Sequence, residues 1–209
     1  MTAPQWLQWA QQLQALAQAG LNYDPRPFDK LRYEQIRDIA ADMMAAYSDA
    51  DLQTLRASLA AEKGHPTPKV DCRAVIIRDD KVLLVQEKMD NNRWTLPGGW
   101  VDVGEPPSTA VEREVWEESG YRVRATKLLA LYDRNLHDHP PHIYHIYKLF
   151  FRCELLDAER DETPNIETGA VAFWRLDELP ELSQGRVTAA QLARFFEHHR
   201  QPDLPTDFD

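Results

Sequence analysis

The chain reads as an α/β protein in two parts, a small helical N-terminal domain ahead of a larger domain in which helices interleave with a mixed sheet. Three observations predict this. Apolar residues recur at helical spacing through the first sixty-odd positions, and the pattern then changes to β-branched runs across a stretch rich in Pro, Gly and Lys. Between two groups of those runs a glycine turn opens into a helix dense in glutamate.

Each element follows from its residues. Trp6, Leu7, Ala10, Leu13, Leu16 and Ala17 form a helical stripe, ended by a break from Gly20 to Pro27. Leu31, Ile36, Ile39, Ala40, Met43 and Tyr47 mark a second helix. Ser48 with Asp51 resembles a capping box for a third, striped by Leu52, Leu55 and Leu59. Residues 1–61 are therefore a helical arm, 62–69 a linker, 70–200 the main domain and 201–209 a frayed tail. Val70 to Arg78 and Val82 to Glu87 are strands joined by a hairpin at Asp79 and Asp80. Tyr121 to Tyr132, Ile143 to Cys153 and Ala170 to Arg175 are further strands, and Val187 to His199 is a closing helix. Cys72 and Cys153 fall in apolar strand-like runs, as two reduced core thiols do more often than a disulfide.

The chemistry concentrates between Gly99 and Gly120. Pro106 and Pro107 suit a first helical turn, with Ser108 an alternative cap, and Gly120 suits the left-handed position that ends a helix. Glu114, Glu117 and Glu118 then lie at i, i+3 and i+4 on one face. Alone, such a triplet on an acidic protein is a solvated surface. Beside the turn Leu96, Pro97, Gly98, Gly99, where backbone can approach an ion or a phosphate, the three read as hard oxygen ligands for Mg²⁺ or Mn²⁺.

These residues resemble the box of the Nudix hydrolases, G-x5-E-x7-R-E-U-x-E-E-x-G-U with U aliphatic. Gly99, Glu105, Arg113, Glu114, Val115, Glu117, Glu118 and Gly120 occupy its positions, and Tyr121 departs from its last. The resemblance runs from about Val70 to about Arg200 and implies an α/β/α sandwich. It implies metal ligation by Glu114, Glu117 and Glu118, with the Gly99 carbonyl as a further donor. It gives Arg113 the task of orienting a neighbouring glutamate and Glu105 that of tying loop to helix. The general base is either Glu114 or a residue of a late loop, Glu167 ahead of the strand at Ala170, with Glu162 the weaker alternative. A helical arm ahead of such a domain resembles the subgroup that hydrolyses X-linked nucleoside diphosphates, in which the arm supports a homodimer. Trp6, Trp9 and Leu13 offer apolar surface to such a partner.

Composition bounds the rest. With 24 Lys and Arg against 34 Asp and Glu, a net charge of -10 argues against a nucleic-acid surface. No apolar run reaches the roughly 20 residues of a membrane span. The N-terminus lacks a basic then apolar leader, which predicts a cytoplasmic protein. The polar loop from Tyr132 to His142 and the cations Arg73, Lys88 and Arg134 are candidate substrate contacts, and Trp100 and Trp94 beside the glycine turn are candidates for base stacking or for plain packing. His137, His139, His142 and His145 invite a zinc reading, but their spacing matches no structural zinc site. The expected activity is Mg²⁺-dependent cleavage of a nucleoside diphosphate linked to X, ADP-ribose first and CDP-choline second. A house-cleaning triphosphatase and a non-catalytic nucleotide-sugar sensor are the alternatives.

Overall fold

The computed structural model describes residues 3–161 and 168–209, which form two compact units: 3–68 with 141–145, and 69–140 with 146–161 and 168–209. Glu162 and Glu167 lie outside the described residues.

The helical unit comprises α1 (Gln5–Asn22), α2 (Pro27–Ala46) and α3 (Leu52–Ala61). Ala10, Ala41, Met44, Leu55 and Leu59 make its core, and Ile143 packs against them. The expected break begins at Gly20, yet α1 runs through it. A Cβ at Gly20 would lie 2.4 Å from the Tyr33 ring, so this glycine serves close approach of two helices and not termination. Asp51 alone caps α3, accepting from the Thr54 N–H at 2.8 Å, while Ser48 donates back to the Met44 carbonyl. Trp6 stacks on Tyr47 and Leu13 is half-buried. Trp9, Phe28, Leu31 and Ile39 are exposed.

The second unit carries two sheets. The first has the order β1 (Lys69–Val75), β6 (Ile146–Leu155), β5 (Val123–Asp133), β8 (Asp207–Phe208), and it is mixed: β1 with β6 and β5 with β8 are parallel, β5 with β6 antiparallel. The second is antiparallel and centred on β3 (Lys81–Glu87), flanked by β7 (Thr168–Arg175) on one edge and by β2 (Ile77–Arg78) and β4 (Arg93–Thr95) on the other. The β2–β3 turn is made by Asp79 and Asp80 at φ 52° and 55°, the left-handed pair that a two-residue hairpin with native twist requires.

Strand alternation sorts side chains onto two faces. Val75, Val82, Leu84 and Phe150 meet Leu192, Phe195 and Phe196 of α5 (Ala189–Arg200). Cys72, Ala74 and Leu83 meet Ala110, Val111 and Val115 of α4 (Pro107–Ser119). This is the α/β/α sandwich. Tyr121 joins the α4 core, edge-on to Phe173 at 6.0 Å, so the aromatic ring fills the place of the usual aliphatic residue. Both cysteines are free and buried in the same core, and burial pushes the Cys72 thiol up to about 12.

One expectation fails outright: the tail is not frayed. Residues from Pro202 onward run along β5, with Lys127 donating to the Pro202 and Leu204 carbonyls at 2.7 and 2.6 Å. Asp207 accepts from Arg194 Nε and Nη2 at 2.6 and 2.7 Å, from His198 Nε2 at 3.0 Å and from the Tyr132 hydroxyl at 3.2 Å. These partners hold its carboxyl well below the usual carboxylate range, Arg194 most strongly.

Candidate active site

The site is built where β1, the 97–99 turn and α4 meet. Backbone hydrogen bonds pin the turn to β1, from Ala74 N–H to the Pro97 carbonyl and from Cys72 N–H to the Gly99 carbonyl, both 2.8 Å. Gly98 sits at φ 139°, and a Cβ there would lie 2.1 Å from the Cys72 carbonyl oxygen. A Cβ at Gly99 would lie 2.8 Å from Glu114 Oε1, so its absence makes room for a carboxylate. α4 supplies the acids. It begins at Pro107 after Pro106, Ser108 does not cap it, and Gly120 closes it in the left-handed conformation at φ 74°.

Of the three expected ligands, two face the turn. Glu118, 8% exposed, accepts from the Gly98 N–H at 2.8 Å, and Glu114 lies against Gly99. Burial pushes Glu118 up to about 8, against the opposing pull of Arg73 and the Gly98 N–H, with Glu114 and Glu87 adding repulsion. Burial raises Glu114 too, although Arg113 opposes it. Glu117 is half-exposed and turned toward Arg113, and among the described residues no three Asp, Glu, His or Cys side chains converge as a ready-made cage.

Arg113 is the hub of the acidic face. Its Nε and Nη2 donate to Glu105 at 3.1 and 3.0 Å, and its Nη1 donates to Glu114 at 3.0 Å and Glu117 at 2.9 Å. One guanidinium thereby joins the loop before the helix to two consecutive turns of it.

Residues 68–196 match the NUDIX domain family, and residues 4–59 match the family described as a UDP-X-like, N-terminal oligomerisation domain. The chain belongs to the Nudix hydrolases. It is 43% identical over 204 residues, 98% of this chain and 97% of the relative, to a Bacillus subtilis (strain 168) protein named "Putative ADP-ribose pyrophosphatase YjhB". Among solved structures, an ADP-ribose pyrophosphatase from Streptococcus suis 89-1591 is 43% identical with a TM-score of 0.61, over 68% of this chain and all of that one. A UDP-X diphosphatase is 31% identical with a TM-score of 0.62 over the full length of both. The chain is thus an ADP-ribose pyrophosphatase-like hydrolase, in a family that acts on small nucleotide substrates and works with divalent metal ions. Among the described residues no helix is long and apolar enough to cross a membrane.

The other candidates in this Nudix hydrolase scatter. Arg73 is 6% exposed, and its nitrogens go to Asp71 and to the Leu96 carbonyl. Lys88 is exposed in the turn after β3, and Trp100 is half-exposed with its backbone bridged to Asp71. Trp94 packs edge-on to Trp174 at 5.2 Å, so packing is its use. Of the histidines, His137 meets Asp209, His139 lies between the Gln184 carbonyl and Gln191, and His142 accepts from the Tyr144 N–H. Sequence reasoning missed Asp71 and Lys148, which are paired and buried on adjacent strands. The available signal was a charged residue at an inward position of an apolar strand.

Proposed function

We propose that the chain is a Mg²⁺- or Mn²⁺-dependent pyrophosphohydrolase cleaving X-linked nucleoside diphosphates to a nucleoside monophosphate and phospho-X, with ADP-ribose the first substrate and CDP-choline the second. One observation carries the metal: Glu114 and Glu118 are withdrawn from water, side by side, with pKa values raised by that withdrawal. Desolvated carboxylate oxygens gathered beside a glycine turn suit a hard divalent ion. Glu114, Glu118 and the free lone pair of the Gly99 carbonyl would hold it, with Glu117 recruited from Arg113.

When bound, such an ion neutralises charge on the phosphate oxygens and helps align water for in-line attack. The protein's own contribution is placement. The Gly98 N–H fixes Glu118, Arg113 fixes Glu114, and Glu105 anchors Arg113 from the opposite side. Glu114 and Glu167 are the two candidates for the base, and Glu167→Gln decides between them. A loss of several orders of magnitude assigns Glu167, and a few-fold change leaves Glu114.

For substrate class, the names of the relatives support ADP-ribose and X-linked diphosphates. Product-resolved hydrolysis of ADP-ribose, CDP-choline, nucleotide sugars and nucleoside triphosphates, with Mg²⁺ or Mn²⁺ and with Glu118→Gln as control, tests it. Two monophosphate products, lost in the variant, are expected; pyrophosphate release would assign the triphosphatase, and binding without turnover the sensor. The exposed Trp9, Phe28, Leu31 and Ile39 and the oligomerisation-domain match support a homodimer through the helical arm. Light scattering of the full chain as a monomer at micromolar concentration would refute it.

A further inference from the structure

Three buried cations lie about one buried carboxylate where β1, β6 and the turn after β5 come together. Asp71 and Lys148 are register partners on β1 and β6, and Asp71 and Arg73 share a face of β1. The Asp71 carboxylate accepts from Arg73 Nε and Nη2 and from Lys148 Nζ. Arg134, in the 3₁₀ turn that follows β5, is the third cation and is 4% exposed.

Arg134 does not fit a structural ion network. Among the described residues its guanidinium donates no hydrogen bond, and its electrostatic partner is Asp71, already engaged by two other cations. Lys148 donates a single hydrogen bond among the described residues, to Asp71, out of three available. No Arg134 nitrogen belongs to the sealed, unsatisfied polar atoms, so its free edge reaches water. The glycine backbone of the loop before α5 passes close by, since a Cβ at Gly185 would stand 4.0 Å from Arg134 Nη2.

His139 adds no charge to the cluster. It donates from Nδ1 to the Gln184 carbonyl at 2.6 Å and accepts at Nε2 from Gln191 at 3.2 Å, the pattern of a neutral ring. Burial, with the cations of Lys148 and Arg134, pushes its pKa down to about 3. The formal balance is three positive charges against one negative. A largely buried guanidinium with unused donors is matched by an oxyanion with two or more acceptor oxygens, which can take a forked contact.

We propose that Arg134 and the free donors of Lys148 form an anion subsite for a phosphate group, held open by Asp71 and Arg73 and separate from the carboxylate site on α4. Arg73 joins the two regions electrostatically, since it acts on both Asp71 and Glu118. The phosphate has two sources: the substrate's own diphosphate, which rests on the pyrophosphohydrolase reading, or free inorganic phosphate.

The test uses the full chain in EDTA, where no cation can carry phosphate to the glutamates, and titrates inorganic phosphate by calorimetry. Wild type and Glu118→Gln are expected to bind it, and Arg134→Gln to bind it at least ~10-fold more weakly. Without phosphate, Arg134→Gln should melt no lower than wild type, because it removes an unpaired charge. Arg134→Lys keeps the charge but loses the fork, and should lie between the two even if the Gln variant does not fold. Equal phosphate affinity in wild type and both variants, no binding by wild type, or a lower melting point of phosphate-free Arg134→Gln would overturn the subsite. In the metal-supported assay, competition of phosphate with ADP-ribose that weakens in Arg134→Gln assigns the site to the substrate's phosphate, and non-competitive action that weakens in the same variant assigns it to the free ion. The EDTA arm stands even if no panel substrate is turned over.

Discussion

Glu118→Gln should make the metal-free protein more stable while destroying its use of metal. The Glu118 carboxyl is buried and shifted from an ordinary 4.5 to about 8. Its folded-state pKa is raised, so the folded chain holds a proton that the unfolded chain releases, and stability falls as pH climbs from about 4.5 to about 8. At pH 7 the unfolded carboxyl is about 2.5 units above its pKa while the folded one is still protonated, which costs about 3 kcal/mol at 1.36 kcal/mol per unit. Glutamine mimics the protonated acid and has no such cost. Urea unfolding in EDTA at pH 5 and pH 7.5 is the assay. The variant should gain about 1 M in midpoint over wild type at the higher pH and much less at the lower. Adding Mg²⁺ should then stabilise wild type in proportion to binding and leave the variant unmoved. Parallel pH slopes for the two proteins, or a less stable variant at pH 7.5 in EDTA, would refute the claim that desolvation poises this carboxyl for a cation.

Four more outcomes follow from the geometry. Arg113→Lys keeps the charge but loses the fork that spans Glu105, Glu114 and Glu117, and steady-state assays should find kcat down about 10–100-fold with KM little changed. Gly98→Ala drives a Cβ to 2.1 Å from the Cys72 carbonyl at a φ of +139°; equilibrium unfolding should register a loss above about 3 kcal/mol, and a loss below about 0.5 kcal/mol would contradict the packing. Asp207→Asn removes an acceptor whose pKa is depressed by Arg194 and His198, so its contribution is present above about pH 4 and lost as pH falls through the depressed value. The variant should unfold about 2–3 kcal/mol more easily at pH 7, a deficit that shrinks in acid. Gly20→Ala should loosen α1 from α2 by about 1–3 kcal/mol, and Tyr33→Ala in the same chain should reverse much of that by removing the ring 2.4 Å from the new methyl.

What the sequence made legible was whatever a single element dictates. Helical periodicity alone puts Glu114, Glu117 and Glu118 on one face, and Pro106, Pro107 and Gly120 bound that helix within a residue. The same local logic misled at Gly20 and at the tail. A glycine followed by Pro27 reads as a stop, but the ring of Tyr33 thirteen positions later decides its use. The tail has few apolar residues and reads as frayed, but Asp207 is fixed by Arg194 and His198, which only the α5 surface brings side by side.

The cation cluster was illegible for a sharper reason. Asp71 and Lys148 are 77 positions apart and meet only through the parallel register of β1 with β6, which no local pattern encodes. Arg73 drew notice as a lone cation, but its partner two residues away on the same face spends it internally and turns it from a phosphate contact into a support. Arg134 is the reverse case: the sequence offers it as one candidate substrate contact among several, and burial with no hydrogen bond donated by its guanidinium among the described residues is what separates it from Arg73. Charge matching therefore separates roles that residue type cannot. A buried cation whose donors are consumed stabilises the fold, and a buried cation whose donors are free stores electrostatic work that an incoming anion releases. By that criterion the two regions of this enzyme are complementary, with the desolvated carboxyls of Glu114 and Glu118 suited to a cation and surplus positive charge at Arg134 and Lys148 suited to phosphate.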